Sequence, residues 1–274
     1  MGHELRWSGD TPWIRKSCLE DWFWCPWKFK HVWIDENYAE PNRVMVVGTR
    51  FHEFADIFFD YCGAIAVEDW IECVPVDTLQ PDEVEMWCWF VEMEQQRYWQ
   101  LLDAGRIEEF QPIFREFKME NPERYLESTC DRADWECKQL GMVSLIEYKT
   151  GEKINKRSLE RQLAFYSILW TDTLGIGDVT SLKLINPRMK VIQEIELKQK
   201  VVAEVLDTIN LMRWAIEHNE YNRRCTQNMY PYCRVCTPQE SGAFRVDPFE
   251  IELVDEVVIG DWDLDEEFWG DGDD

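Results

Sequence analysis

Apolar residues recur along this chain at two spacings, and the places where the spacing changes mark out its elements. The opening run SCLEDWFWCPWKFKHVWI carries aromatics at helical spacing and breaks at Cys25-Pro26, where the proline has no N–H to donate. Further on, VMVVGTRFHEFADIFFDYCG sets Phe51, Phe54, Ala55, Phe58 and Phe59 on one helical stripe, with His52 and Asp56 one turn apart on a shared face. A second long helix is predicted from Pro81 or Asp82 to about Ala104, with Gly105 beyond its end. The period then drops to two. Strands are predicted over 112–119, 125–135 and 142–149, with Gln139-Leu140-Gly141 near the turn joining the last two. Helical spacing returns over 158–174 and stops at Gly175. Two strands over 181–185 and 191–197 follow, separated by Asn186-Pro187, and then a helix of about 20 residues from Lys200. This order, without an internal repeat, predicts an α/β domain with a central mixed sheet flanked by helices.

Charge changes the picture in one respect. The 274 residues carry a formal net charge of −25, a field that repels nucleic acid over most of the surface. A purely electrostatic nucleic-acid coat is therefore excluded, while a local basic groove or metal-bridged binding is not. Residues 245–274 hold 13 acids and 1 base, nearly half of the excess, so the body is far less acidic than the total suggests. The chain therefore divides into a domain over 1–244 and an acidic extension over 245–274, strand-like at first and of disordered composition at its end. That tail either mimics nucleic acid, keeps the chain soluble, or docks a partner through Trp262, Phe268 and Trp269. MGHELRWSGD lacks the apolar core of a signal peptide, and no run approaches the roughly 18 apolar residues of a membrane helix. The expectation is a cytoplasmic protein of a prokaryote or its virus, with no membrane partner.

The chemistry concentrates in CDRADW and SLIEYKTGE. Period two puts Glu147 and Lys149 on one side of their strand and Tyr148 on the other. Asp134 on the neighbouring strand would then share a divalent metal with Glu147, and the Tyr148 carbonyl would offer a further oxygen. Lys149 beside such an ion would act on the attacking water or on charge developing at phosphate. The same residues also read as a cross-strand ion pair with a solvent-facing aspartate. Carboxylates on opposite faces of the sheet would remove the shared site and the family assignment given below. His52, with Glu53 and Asp56 nearby, is either a further ligand or a structural histidine. Gln162 and Tyr166, next to Arg161, are i,i+4 neighbours able to face one groove.

Taken in order, GTRFHEFAD, CDRADW, LIEYKTG and RQLAFY resemble the motifs of the PD-(D/E)XK nucleases, with their restriction-endonuclease-like core. The similarity is to the RecB-like branch that includes iron–sulfur exonucleases of CRISPR adaptation, and it extends over roughly residues 14–240. It implies His52, Asp134, Glu147, Lys149, Gln162 and Tyr166 as catalytic residues. It further implies a Mg²⁺- or Mn²⁺-dependent deoxyribonuclease, an exonuclease on single strands or DNA ends. The family often has glycine three residues before its catalytic aspartate; Asp131 stands there, a carboxylate that either joins the site or faces solvent. The alternative is a non-catalytic accessory factor of recombination or CRISPR adaptation, binding nucleic acid or protein.

Cys225, Cys233 and Cys236 form C-x7-C-x2-C, and Cys25 stands about 200 residues upstream. Four such thiolates suit zinc or an iron–sulfur cluster equally by spacing. The resemblance is what assigns Cys25, Cys225, Cys233 and Cys236 to a [4Fe-4S] cluster joining the N- and C-terminal segments. Cys18, Cys62, Cys73, Cys88, Cys130 and Cys137 lack chelating spacing and read as small buried apolar residues. If the ends meet, three basic groups would line a groove: Lys149, Lys153, Lys156, Arg157 and Arg161; Arg223, Arg224 and Arg234; and Arg15, Lys16, Lys28 and Lys30. Trp13, Trp22, Trp24, Trp27, Tyr230 and Tyr232 would either stack on unpaired bases there or fill the core.

Overall fold

The computed structural model describes residues 5–38, 43–173 and 176–223. Three short strands, β1 (Trp7–Ser8), β2 (Thr11–Pro12) and β3 (Ile14–Arg15), lead into α1 (Lys16–Trp24) and the four-residue α2 (Pro26–Phe29), which continues as a π-helical turn over Lys30–Ile34. Helices α3 (Arg43–Cys62) and α4 (Pro81–Asp103) follow, then strands β4 (Phe114–Asn121), β5 (Leu126–Cys137) and β6 (Met142–Tyr148). The chain closes with α5 (Lys156–Thr173), β7 (Asp178–Asn186), β8 (Val191–Glu196) and α6 (Gln199–His218). The predicted long elements form within a few residues of their expected ends. For α4 the signals are local. Pro81 opens the helix, Gln80 and Glu83 make a reciprocal capping box, and Gly105 takes φ +68° just past the end.

β4, β5, β6, β7 and β8 lie side by side in a mixed sheet, parallel only between β6 and β7. The short β3 pairs parallel to the start of β5 at Leu126 and Glu127, residues whose other edge already pairs with β4. β3 therefore shares an edge of β5 with β6, which pairs from Arg132 onward. Gly177 lets the β6–β7 end close. A Cβ there would lie 2.5 Å from the Gly141 carbonyl oxygen, which accepts the Asp178 N–H.

The sheet is covered on both faces, which is why β6 is buried from Val143 to Tyr148 instead of alternating. Val143, Leu145, Leu182 and Leu184 pack under α1, α5 and α6. Ile146, Tyr148 and Ile185 pack under α3 and α4 through Phe51, Phe54, Phe58 and Phe90. No helix among the described residues is long and apolar enough to cross a membrane.

The cysteine-ligated part of the predicted fold is corrected. Among the described residues no cysteine cluster or disulfide links the N- and C-terminal segments. The one group there arranged to hold an ion is His52, Glu116 and Asp131, which contains no sulfur. This overturns the iron–sulfur and zinc assignments; of their ligands Cys25 is a buried thiol, and Cys225, Cys233 and Cys236 lie outside the described residues, as does 245–274. Aromatic packing joins the segments instead. Tyr221 sits against Trp22 and Phe29, and the Arg223 guanidinium lies 4.2 Å from the Trp27 ring.

On the α4 face the sheet buries a charge network. Arg132, 1% exposed, donates to Glu94 (2.6 Å), to Asp134 (2.8 and 2.5 Å) and to the Tyr148 hydroxyl (3.2 Å). Burial would raise the Asp134 carboxyl, but Arg132 and then Arg97 outweigh it and hold the group below its ordinary 3.8. Replacing Arg132 with Met removes the main partner of two buried carboxylates and leaves them to Arg97 alone, so R132M is expected to lose about 3–5 kcal/mol at pH 7, read as a lower urea midpoint. Asp134's depressed folded pKa means its contribution is full above its unfolded value and disappears as pH falls through the folded one. The deficit of R132M should therefore narrow in acid.

Candidate metal centre

β3 runs parallel to β5 and β6 antiparallel to it, so the C-terminal ends of β3 and β6 point at each other along the edge they share. Between them the β5 edge from 128 to 131 pairs with neither. That gap is the site. Arg15 ends β3, and Lys16 follows it as the first residue of α1; Glu147 and Tyr148 end β6, and Lys149 follows them. The unpaired Thr129 carbonyl accepts a hydrogen bond from the Tyr166 hydroxyl on α5 (2.9 Å). The Tyr148 N–H donates to Asp131 Oδ2 (2.8 Å).

Strand alternation breaks at this level in both β4 and β5. Phe114 and Phe117 are three residues apart yet stack at 4.3 Å, and Cys130 and Ala133, also three apart, enter the same core. Glu116 stands at the break with φ +40°, a left-handed conformation that non-glycine residues seldom adopt outside functional or turn positions. The kink brings Glu116 and Asp131 to His52 on α3, at 3.3 and 3.4 Å from its Nδ1. α3 comes this close to the end of β6 because residue 48 is glycine; a Cβ there would lie 3.3 Å from Thr150 Oγ1. Ligand atoms of His52, Glu116 and Asp131 all fall within 4.8 Å of one another. Burial pulls the imidazole down, but Asp131, then Glu116 and Glu147, raise its pKa to about 10. The cluster is a place for a cation.

Glu147, 1% exposed, lies beside it on the α5 side of the sheet. Its Oε1 accepts from Lys149 Nζ (2.6 Å) and Lys16 Nζ (2.9 Å), and Oε2 lies 3.2 Å from the Tyr166 hydroxyl. Burial opposes its charge, but Lys149 and Lys16 more than compensate and depress the pKa. Gln162 Nε2 donates to Tyr166 (3.3 Å), while the buried Gln162 Oε1 has no hydrogen-bond partner. Two carboxylates, a histidine and a nearby third carboxylate make a hard, mostly oxygen donor set. It suits Mg²⁺ or Mn²⁺.

Most of the predicted residues meet here. His52, Glu147, Lys149, Gln162, Tyr166 and the Tyr148 backbone converge, and Lys149 shares a side with Glu147 as period two requires. Asp134 does not. It pairs with Ser144, three residues from Glu147, and its carboxylate joins Arg132 and Arg97 on the α4 face. The shared Asp134–Glu147 site is thereby lost, and with it the family assignment as argued from those two residues; Asp131 stands beside Glu147 in its place. Asp56 turns to Arg115 and leaves the site. Glu116 was not anticipated, and its positive φ is not a signal readable from sequence.

The expected basic groove is largely self-neutralised. Arg157 pairs with Glu160 (3.1 Å) and Glu204, Arg161 with Glu204 (2.9 Å), Lys28 with Asp21 (2.7 Å) and Lys30 with Asp35 (2.6 Å). Lys153 and Lys156 are exposed, and Arg224 and Arg234 lie outside the described residues. Trp13 and Trp22 are core residues, Trp24 is exposed, Trp27 is half-buried, and Tyr230 and Tyr232 lie outside the described residues.

No family model and no curated protein matches this chain. Among solved structures it is similar to a candidate exonuclease from Eubacterium rectale, at 12% identity and a TM-score of 0.43, covering 77% of this chain and 84% of that one. The RecB-like and CRISPR-associated iron–sulfur attributes implied by the motifs are corrected: among the described residues the candidate ion site is built from His52, Glu116 and Asp131.

Single variants separate the two aspartates. H52A, E116A and D131A should each weaken Mn²⁺ binding more than about tenfold, the lower end of what loss of a merely supporting group costs. D134N should bind Mn²⁺ like wild type while its urea midpoint falls. Titration calorimetry with Mn²⁺ and urea unfolding on the same preparations check both.

Proposed function

We propose that residues 1–244 form a metal-dependent nuclease that hydrolyses phosphodiester bonds of DNA, acting as an exonuclease on single strands or strand ends. The observation that carries this reading is the convergence of His52, Glu116 and Asp131 beside the Glu147–Lys149 pair in the β3–β6 gap. His52, Glu116 and Asp131 would hold Mg²⁺ or Mn²⁺, with Glu147 and the Tyr148 carbonyl adjacent. Such an ion supplies Lewis acidity at phosphate and a water acidic enough to attack near neutral pH. The remaining work belongs to the chain. Lys149, 39% exposed, is the more exposed cation next to the carboxylates and steadies charge developing on the phosphate. Tyr166 stands against Glu147 and is itself held by Gln162.

With most basic side chains already paired within the chain, few are available for phosphates. DNA affinity should therefore fall only shallowly with salt, with a log–log slope of roughly −1 to −3.

The test is an end-labelled DNA assay with Mg²⁺ or Mn²⁺. Wild type should degrade linear single strands and spare covalently closed circles, and E147A and K149A should each lose most activity, on the order of 100-fold or more. K149A should still bind Mn²⁺. Cleavage of wild-type rate in E147A rejects the mechanism. Absence of cleavage by folded, Mn²⁺-loaded wild type on every substrate rejects the enzyme in favour of a non-catalytic role in binding nucleic acid or protein.

A further inference from the structure

Glu147 carries more cation than its role requires. Lys16 and Lys149 both donate to the same oxygen, Oε1, and Tyr166 stands against the other. While both ammonium groups stay on Glu147 Oε1, Lys149 cannot also serve a phosphate. One of the two must be able to leave.

Their surroundings differ. The Lys16 side chain is 19% exposed and that of Lys149 39%. Lys16 is anchored from three directions. Its backbone follows β3, whose pairing fixes Ile14 against Leu126 and Arg15 against Glu127. Its own helix is pinned by the buried Cys18, Leu19 and Trp22. Its ammonium lies 5.4 Å from the centre of the Tyr166 ring, a contact that favours a partly desolvated cation. Lys149 stands one residue past the end of β6, leading into the exposed stretch at Glu152 and Lys153, with its N–H bonded to the Ile185 carbonyl.

Resting on the hydrolytic reading of this site, we propose that Lys16 is a positioning residue, the fixed cation that holds Glu147, while Lys149 is the exchangeable cation that leaves it for the substrate phosphate. The two lysines are then not redundant. Lys16 keeps the Glu147 carboxylate oriented throughout, and Lys149 moves between the carboxylate and the phosphate. The charge count agrees. Glu116, Asp131 and Glu147 face His52 and two lysines, so a divalent ion entering this set favours release of the less confined ammonium.

The side-chain ammonium groups can be followed directly by ¹⁵N-detected NMR of lysine Nζ in the full chain, with K16R and K149A assigning the two signals. Before Mg²⁺ is added, both should be protected from solvent exchange. At saturating Mg²⁺ the Lys149 signal should be lost to exchange and the Lys16 signal should remain. Loss of the Lys16 signal, or no change in either, overturns the proposal. Steady-state cleavage gives the second arm. K16A should lower kcat by about 10–100-fold, the usual cost of losing a group that orients a ligand, with KM for DNA unchanged and partial recovery in K16R. A raised KM at unchanged kcat would make Lys16 a DNA contact, and an effect confined to the urea midpoint would make it structural; either outcome overturns the assignment. A chain that shows the expected ammonium exchange but cleaves no DNA sinks the nuclease reading and leaves the division between the lysines standing.

Discussion

The pairing of two short strand ends with one edge of β5 is the constraint on which the site depends. β3 approaches from one direction and β6 from the other, and neither covers 128–131. Backbone groups in a sheet interior must find partners. Here they find them outside the ladder: the Thr129 carbonyl takes the Tyr166 hydroxyl and the Tyr148 N–H takes the Asp131 carboxylate. The interruption thus serves two ends. It leaves a stretch of the β5 edge without a neighbouring strand, and it orients an aspartate and a tyrosine whose positions follow from satisfying the backbone.

The two faces of the sheet divide the labour. Toward α3 and α4, Arg132 gathers Glu94 and Asp134 into a network that is closed and almost inaccessible, so its charges serve the fold. At the β3–β6 gap three acids, Glu116, Asp131 and Glu147, lean on a histidine and two lysines, and one of those lysines is 39% exposed. A closed network resists exchange because removing any partner strands a buried charge. An open one tolerates exchange of one cation for another. The difference is one of confinement more than of residue type.

Acidity over the whole chain has a counterpart in the paired basic residues. Arg157, Arg161, Lys28 and Lys30 each have a carboxylate within reach, so the surface around the site does not gather long stretches of phosphate. Any polyanion that binds here does so through a small number of groups near the carboxylate cluster. An exposed ion pair contributes little to stability, yet each one removes a cation from the set free to meet a ligand.

Much of this was legible in the sequence, because helices and strands announce themselves by local spacing. The long helices, the five main strands and the shared side of Glu147 and Lys149 follow from periods of 3.6 and 2. Capping at Gln80 and Glu83 and the glycine past α4 are local signals as well. Register is not local. Asp134 and Asp131 lie three residues apart on one strand, and only the pairing of Arg132 with Ile146 decides which of them stands beside Glu147. Alternation could not have predicted Asp131, because the strand breaks its period at that level, in step with Glu116 on β4. Lys16 meets Glu147 across 131 residues of chain, a distance over which no spacing rule operates. The sequence by itself determined which elements form and which residue types could do the chemistry. The tertiary structure alone decided which carboxylates share a site, because that depends on strand register and on the direction from which β3 returns to β5.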